Sequence, residues 1–351
     1  MKTWVFRPWT VLLAGTLLAG VGIIGVSATP AGAQASCTPA GSSGLTAAVV
    51  ATQGQTVTGT IDATGCDIGV YVGPGITGVR IAGATISGAG DHGILVQDTS
   101  GVAIADDVVS GNGLAPHLCP PPPTPPSGPC IPEDKAIALV GTSYSTVLDN
   151  AVVGNKADGG IAITDDGTPG PGTLNPGTPS PATGNLVFGN RVVGNAGGCG
   201  IVLASYVAGE GASRNVVAGN VVAGNPAGII VAADLPGTAA QGNWVVRNTV
   251  ADNFLPGIIL HANAPGDVVL ATVVAGNTIY RNGPDPSAAG GHGPTKPTGV
   301  IVVGEVTAIT GTLVADNPIN HEHFGVWIAN AKGTAIREWH LDHATVPVFV
   351  R

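Results

Sequence analysis

Positive charge is scarce in this chain. Its 351 residues hold 13 Lys and Arg against 22 Asp and Glu, a formal net charge of −9. A protein this acidic lacks the basic face that nucleic acid phosphates demand, so no nucleic-acid partner is expected. Charge of either sign makes up only 10% of the residues, while Gly is abundant at 55. Low charge with regular Val alternation excludes a disordered chain and argues for ordered β structure. A spanning run is also missing, because the apolar stretch Val11 to Val26 falls short of the about 20 residues a membrane helix needs. Set behind Lys2 and Arg7 and ahead of Ala33-Gln34-Ala35, that stretch has the layout of a secretory signal peptide over residues 1–35. The export signal is then the only expected membrane contact. Cys37 lacks the leucine-type residue of a lipoprotein site upstream, so acylation is not expected. The mature protein is expected to be secreted, extracellular or in the cell envelope.

Five cysteines suit that compartment. Cys37 and Cys66 are a candidate staple for an N-terminal cap over residues 36–66. Cys119 and Cys130 bracket a Pro-rich loop and form a second candidate disulfide. Cys199 is left over, with no activating base nearby, and reads as a small, partly buried strand residue.

What the chain does have is repetition. Asn185-Leu-Val-Phe-Gly-Asn190-Arg-Val-Val-Gly-Asn195 returns as Asn215 to Asn225 and again as Asn243 to Asn253. Each phrase is partnered by a Gly-led apolar strand, as in Gly160-Ile-Ala-Ile, Gly200-Ile-Val-Leu, Gly228-Ile-Ile-Val and Gly257-Ile-Ile-Leu. Periods of this size mark a solenoid. Strands this short cannot pair with themselves; stacked turn upon turn, each pairs in parallel with its equivalent in the next coil. Asn suits the corners because it tolerates the left-handed conformation and its stacked side chains bond to one another and to the backbone.

The Gly-Ile strand with the Asn-x-Val-x-Gly-Asn phrase resembles the right-handed parallel β-helix repeats of the pectate-lyase-like superfamily, and most of all the secreted bacterial members of it. The resemblance covers residues 67–350. It implies an all-β fold, a single-stranded right-handed parallel β-helix of about nine coils, with caps at both ends and the helix proper over 67–351. Three Pro/Gly-rich insertions, 113–134, 167–183 and 283–298, must leave the stack at corners. The same fold hosts lyases, hydrolases, epimerases, adhesins and inert scaffolds, so the fold alone does not fix the activity.

Candidate chemistry lies at the ends of the Gly-led strands. Their outward positions are mostly apolar, among them Tyr71, Leu95, Val202, Ile259 and Trp327, and want a cover. Just beyond them runs a polar fringe. Asp165, Asp166, Tyr206, Asp234, His261, Asn263 and Glu305 would form a strip across five coils stacked about 4.8 Å apart. Such carboxylates suit Ca²⁺, or an acid/base pair for glycan cleavage with His261 and Asp234 as its members. The alternative is ordinary turn residues. The superfamily's calcium sites pair acidic ligands with an Arg or Lys base, whereas Arg191, Arg214 and Arg247 flank the asparagine corners elsewhere on the coil. The polygalacturonase pattern is absent too. At the C-terminus His321, His323, His340 and His343 are candidate metal ligands, although His340 takes an Asn-ladder place. The leading functional expectation is a carbohydrate-interacting surface protein that binds polysaccharide along its outer strand face. A polysaccharide lyase, hydrolase or epimerase comes second and a partner-binding scaffold third.

Overall fold

The computed structural model describes residues 36–41, 45–114, 134–165, 180–337 and 344–351. The expected export signal over residues 1–35, Cys119, Cys130, Asp166, His340, His343 and most of the first two insertions lie outside the described residues.

The chain winds as a parallel β solenoid. One coil runs through Ala227–Ala233, Ala239–Gln241, Trp244–Val246 and Thr249–Ala251 before Ile258–Ala262 opens the next. The long Gly-led strands stack into a 12-stranded sheet, and the short Val-rich strands into a 17-stranded sheet that bends at its corners. Apart from Thr38–Pro39 on Thr46–Val50, every strand pairing among the described residues is parallel, with coil pairing to coil in fixed register. Eight Gly-led strands and Ile137–Val140, where Ala136 replaces the Gly, are joined in the long sheet by Thr38–Pro39 and Thr46–Val50 at one end and Val346–Val350 at the other. The Cys37–Cys66 disulfide closes the N-terminal end.

Alternation decides what lies inside. Val217, Val222, Val231, Val245 and Val250 are fully buried, each flanked by residues that point outward. These stacked columns fill a continuous apolar core, and burial of this kind is the main favourable term in folding. Gly at the start of eight of the long strands has a steric cause. A β-carbon on Gly228 would overlap the Gly257 carbonyl oxygen and the Val250 side chain.

Three asparagine ladders run up the corners. Asn220 shows the pattern: its Oδ1 accepts the Asn190 backbone N–H and Nδ2 at 2.9 and 3.0 Å. Its own Nδ2 donates to the Val187 carbonyl at 3.0 Å and to Asn248 Oδ1 at 2.9 Å. One detail of the sequence reading is corrected. The left-handed backbone belongs to the residue before the Asn, Gly219 at φ 65°, Gly224 at 63° or Arg247 at 56°, and not to the ladder asparagines. Gly takes that conformation at no steric cost, which leaves the Asn free to serve through its amide.

The outward face of the long sheet is covered. Tyr71, Leu95, Ala138, Ala162, Ile259, Ile301 and Trp327 are all buried. Over the C-terminal coils the cover is the third insertion, whose short helix Ala288–Gly291 sets Ala288 against Ile259, Ile301 and Trp327. A glycan therefore cannot lie along these rows, and any binding surface must be sought at the strand ends or on another face.

Candidate functional site

Strand register brings the expected strip into line. Ser205 pairs with Ala233, Ala233 with Ala262, and Ala262 with Gly304. The residues one place on, Tyr206, Asp234, Asn263 and Glu305, therefore step across four adjacent coils. Sharing a row does not make them one site, because their side chains turn to different partners.

Asp234, His261 and Asn263 do converge. Asn263 Nδ2 donates to Asp234 Oδ1 at 2.7 Å, and His261 Nε2 stands 3.6 Å from the same oxygen. His261 emerges from the long strand between Ala232 and Val303 on the neighbouring coils. The side chains of His261 and Asp234 are each 22% exposed, so the trio meets solvent, with Asp234 held by the Asn263 hydrogen bond and His261 beside it. A carboxylate accepts hydrogen bonds, an imidazole accepts or donates, and an amide does both. Groups of this kind bind hydroxyls and, in the right pose, move protons.

The remaining members are structural in their contacts. Asp165 is fully buried and caps a turn, accepting from Ser205 Oγ at 2.6 Å and from the N–H groups of Tyr206 and Val207 at 2.7 and 3.2 Å. Burial pushes its carboxyl up to about 6 despite those bonds. Tyr206 packs against Ala162, Val202 and Ala204. Glu305 turns away from Asp234 and accepts the N–H groups of Ala289 and Gly290, tying the covering loop to the coil. Among the described residues no three His, Cys, Asp or Glu side chains are grouped to hold a metal ion. His321 lies at an exposed corner with φ 58°, and His323 packs edge-on against Phe324. Cys199 is a free, half-buried thiol that burial raises to about 12, which leaves it unreactive.

Sequence reasoning missed two groups. Glu322, between the two histidines that drew attention, is the buried terminus of an asparagine ladder and accepts from the Asn282 N–H and Nδ2 at 2.8 and 3.0 Å. Its signal was position, five residues after Asn317 where the phrase calls for Asn. Trp244, half-exposed among arginines, broke the Val pattern of its repeat in the same way.

Residues 46–245 match the family model described as right handed beta helix region. No curated protein matches the chain. Among solved structures, the mannuronan C-5 epimerase A-module of Azotobacter vinelandii is similar at 11% identity, covering 86% of this chain and 82% of its own, with a TM-score of 0.40. The surface adhesin PfbA of Streptococcus pneumoniae is similar at 10% identity, over 87% of this chain and 84% of its own, with a TM-score of 0.48. The Dettilon tailspike protein is similar at 13% identity over 87% of this chain and 61% of its own, with a TM-score of 0.45.

Proposed function

This chain belongs to the right-handed β-helix family, and we propose that it is exported and engages polysaccharide at the cell surface. The observation that carries the reading is the Asp234–His261–Asn263 trio: three hydrogen-bonding side chains from adjacent coils, converging on one oxygen and open to solvent. Apolar Ala232 and Val303 flank it. Both are buried, so the polar groups are the exposed part, and the hydroxyls of a sugar match them. The Cys37–Cys66 disulfide supports an oxidising compartment outside the cell.

Cleavage or epimerisation is the second reading, favoured by the 3.6 Å approach of His261 to Asp234. In that reading His261 abstracts or delivers the proton and Asp234 orients the imidazole. The test is a panel of acidic and neutral polysaccharides, scored for binding by affinity electrophoresis and for new chain ends by ultraviolet absorbance and reducing-sugar assay, with Ca²⁺ or chelator. Retardation by at least one glycan is expected. New ends that vanish in His261→Ala would establish the catalytic reading. Neither retardation nor new ends with any glycan would overturn the proposal.

A further inference from the structure

A second face of the solenoid, away from this trio, carries an arrangement that the first site does not use. It is the outer surface of the short-strand sheet, where Leu186–Phe188, Val216–Ala218 and Trp244–Val246 pair in parallel, with Leu186, Val216 and Trp244 in one row. Trp244 is 52% exposed and Phe188 48%, in a chain whose aromatic content is only 4%. From the strand and coil spacings the Cα atoms of the two residues lie roughly 12 Å apart. Arg191, Arg214 and Arg247 are exposed around them on the same three coils.

Within the described residues no carboxylate pairs with any of these three arginines, whereas Arg281 two corners away is held bidentately by Asp252 at 2.6 and 2.7 Å. Glycine corners seat the side chains. The Phe188 ring lies over Gly219, and the stems of Arg214 and Arg247 lie over Gly242 and Gly276 on the next coil. The result is a face of three guanidiniums and two aromatic rings, bordered by the Asp149 carboxylate against Gly189, on a protein of net charge −9.

We propose that this face binds an anionic polysaccharide, one bearing carboxylate or sulfate groups, with sugar rings stacked on Trp244 and Phe188 and the acidic groups held by Arg191, Arg214 and Arg247. The proposal rests on the polysaccharide reading above and names its charge class and its surface. Charge complementarity selects the occupant, because planar guanidinium forks match carboxylate and sulfate oxygens. Aromatic faces supply broad contact area at low entropic cost. Coils repeating every about 4.8 Å offer a linear polymer equivalent positions along its length.

The test is affinity electrophoresis of the full chain through gels containing sodium alginate, polygalacturonate or neutral dextran, with circular dichroism to check folding. Alginate or polygalacturonate should retard the wild type, dextran should retard it less, and added salt should weaken the effect. Trp244→Thr, which keeps a strand-forming residue, should weaken binding on the order of 10-fold, and Arg214→Ala with Arg247→Ala should do the same. Equal retardation of wild type and both face variants would overturn this proposal while leaving the polysaccharide reading intact. Retardation by dextran alone would overturn the anionic class. Absence of retardation by all three gels would overturn the face, with the wider glycan panel then deciding the broader reading. Face variants that alter only self-association, read by light scattering, would make the surface a protein interface and overturn the proposal.

Discussion

The middle coils and the ladder ends close their buried corners with different groups. One ladder holds amides at Asn150, Asn190, Asn220, Asn248 and Asn277 and begins on the carboxyl of Asp107; the next holds amides at Asn155, Asn195, Asn225, Asn253 and Asn282 and ends on the carboxyl of Glu322. An amide accepts from the coil before and donates to the coil after, so it propagates a column indefinitely. A carboxylate only accepts. Asp107 Oδ1 takes the Ala84 N–H at 2.6 Å, as an asparagine oxygen would, but its Oδ2 is buried with no partner. That oxygen stands where the other coils have an N–H₂ aimed at the next Oδ1. Glu322 Oε2 is likewise buried and unpartnered. The difference shows that the ladder is a directional device, saturated along its length and under-satisfied where amides give way to acids.

Breaking the ladder in the middle should have the largest effect. Asn220→Val removes two accepted and two donated side-chain bonds and leaves the Asn190 N–H and the Val187 carbonyl buried without them. Buried polar groups left unpaired cost about 1–3 kcal/mol each, so a loss of about 3–5 kcal/mol is expected from urea denaturation. A loss below about 1 kcal/mol would mean that Val packing alone holds the coils and that the ladder contributes little.

Much of this architecture was legible because its causes are local and periodic. Gly leading eight of the long strands, Val at alternate places and Asn every five residues report steric fit, burial and corner bonding, and each recurs often enough to be read. The direction of side chains at the strand ends was not legible. Asp165 turning inward to Ser205 and Glu305 turning to the Ala289 and Gly290 amides depend on which backbone N–H groups happen to lie near. Asp234, His261 and Asn263 were visible as members of one row, since register follows from the repeat. Their convergence on a single oxygen was not. The Trp244 face went unread because an aromatic in an outward Val place looks like ordinary variation until its arginine neighbours are seen on adjacent coils.

The acidic ends sharpen the comparison through pH. Burial raises Asp107 from 3.8 to about 6 and Glu322 from 4.5 to about 7. Because these folded values lie above the unfolded ones, the native state binds more protons between them. The stability contribution falls as pH rises, from near pH 4 through about 7, and is fully lost above that. Asp107→Asn and Glu322→Gln supply the missing amide and remove the charge. Each should stabilise the protein by about 1–3 kcal/mol at pH 8 and by much less at pH 4, flattening the pH profile of the thermal midpoint. A substitution that stabilises equally at both pH values would show that the carboxyl is not charged in the folded protein.

The smallest expected effect tests whether the amide or the strand matters. Val221 is the very next residue after Asn220, but it points outward, is 42% exposed, and pairs in register with Thr249 on the following coil. Thr already fills the equivalent place there, and β-branched residues suit an exposed strand face. Val221→Thr should therefore change the unfolding free energy read from urea denaturation by less than about 0.5 kcal/mol, an order of magnitude below Asn220→Val at the adjoining residue. Equal costs at the two positions would locate the sensitivity in the strand backbone of this coil. Unequal costs in the expected order would locate it in the inward amide, since the two residues share a corner and a coil and differ in which side of the wall they face.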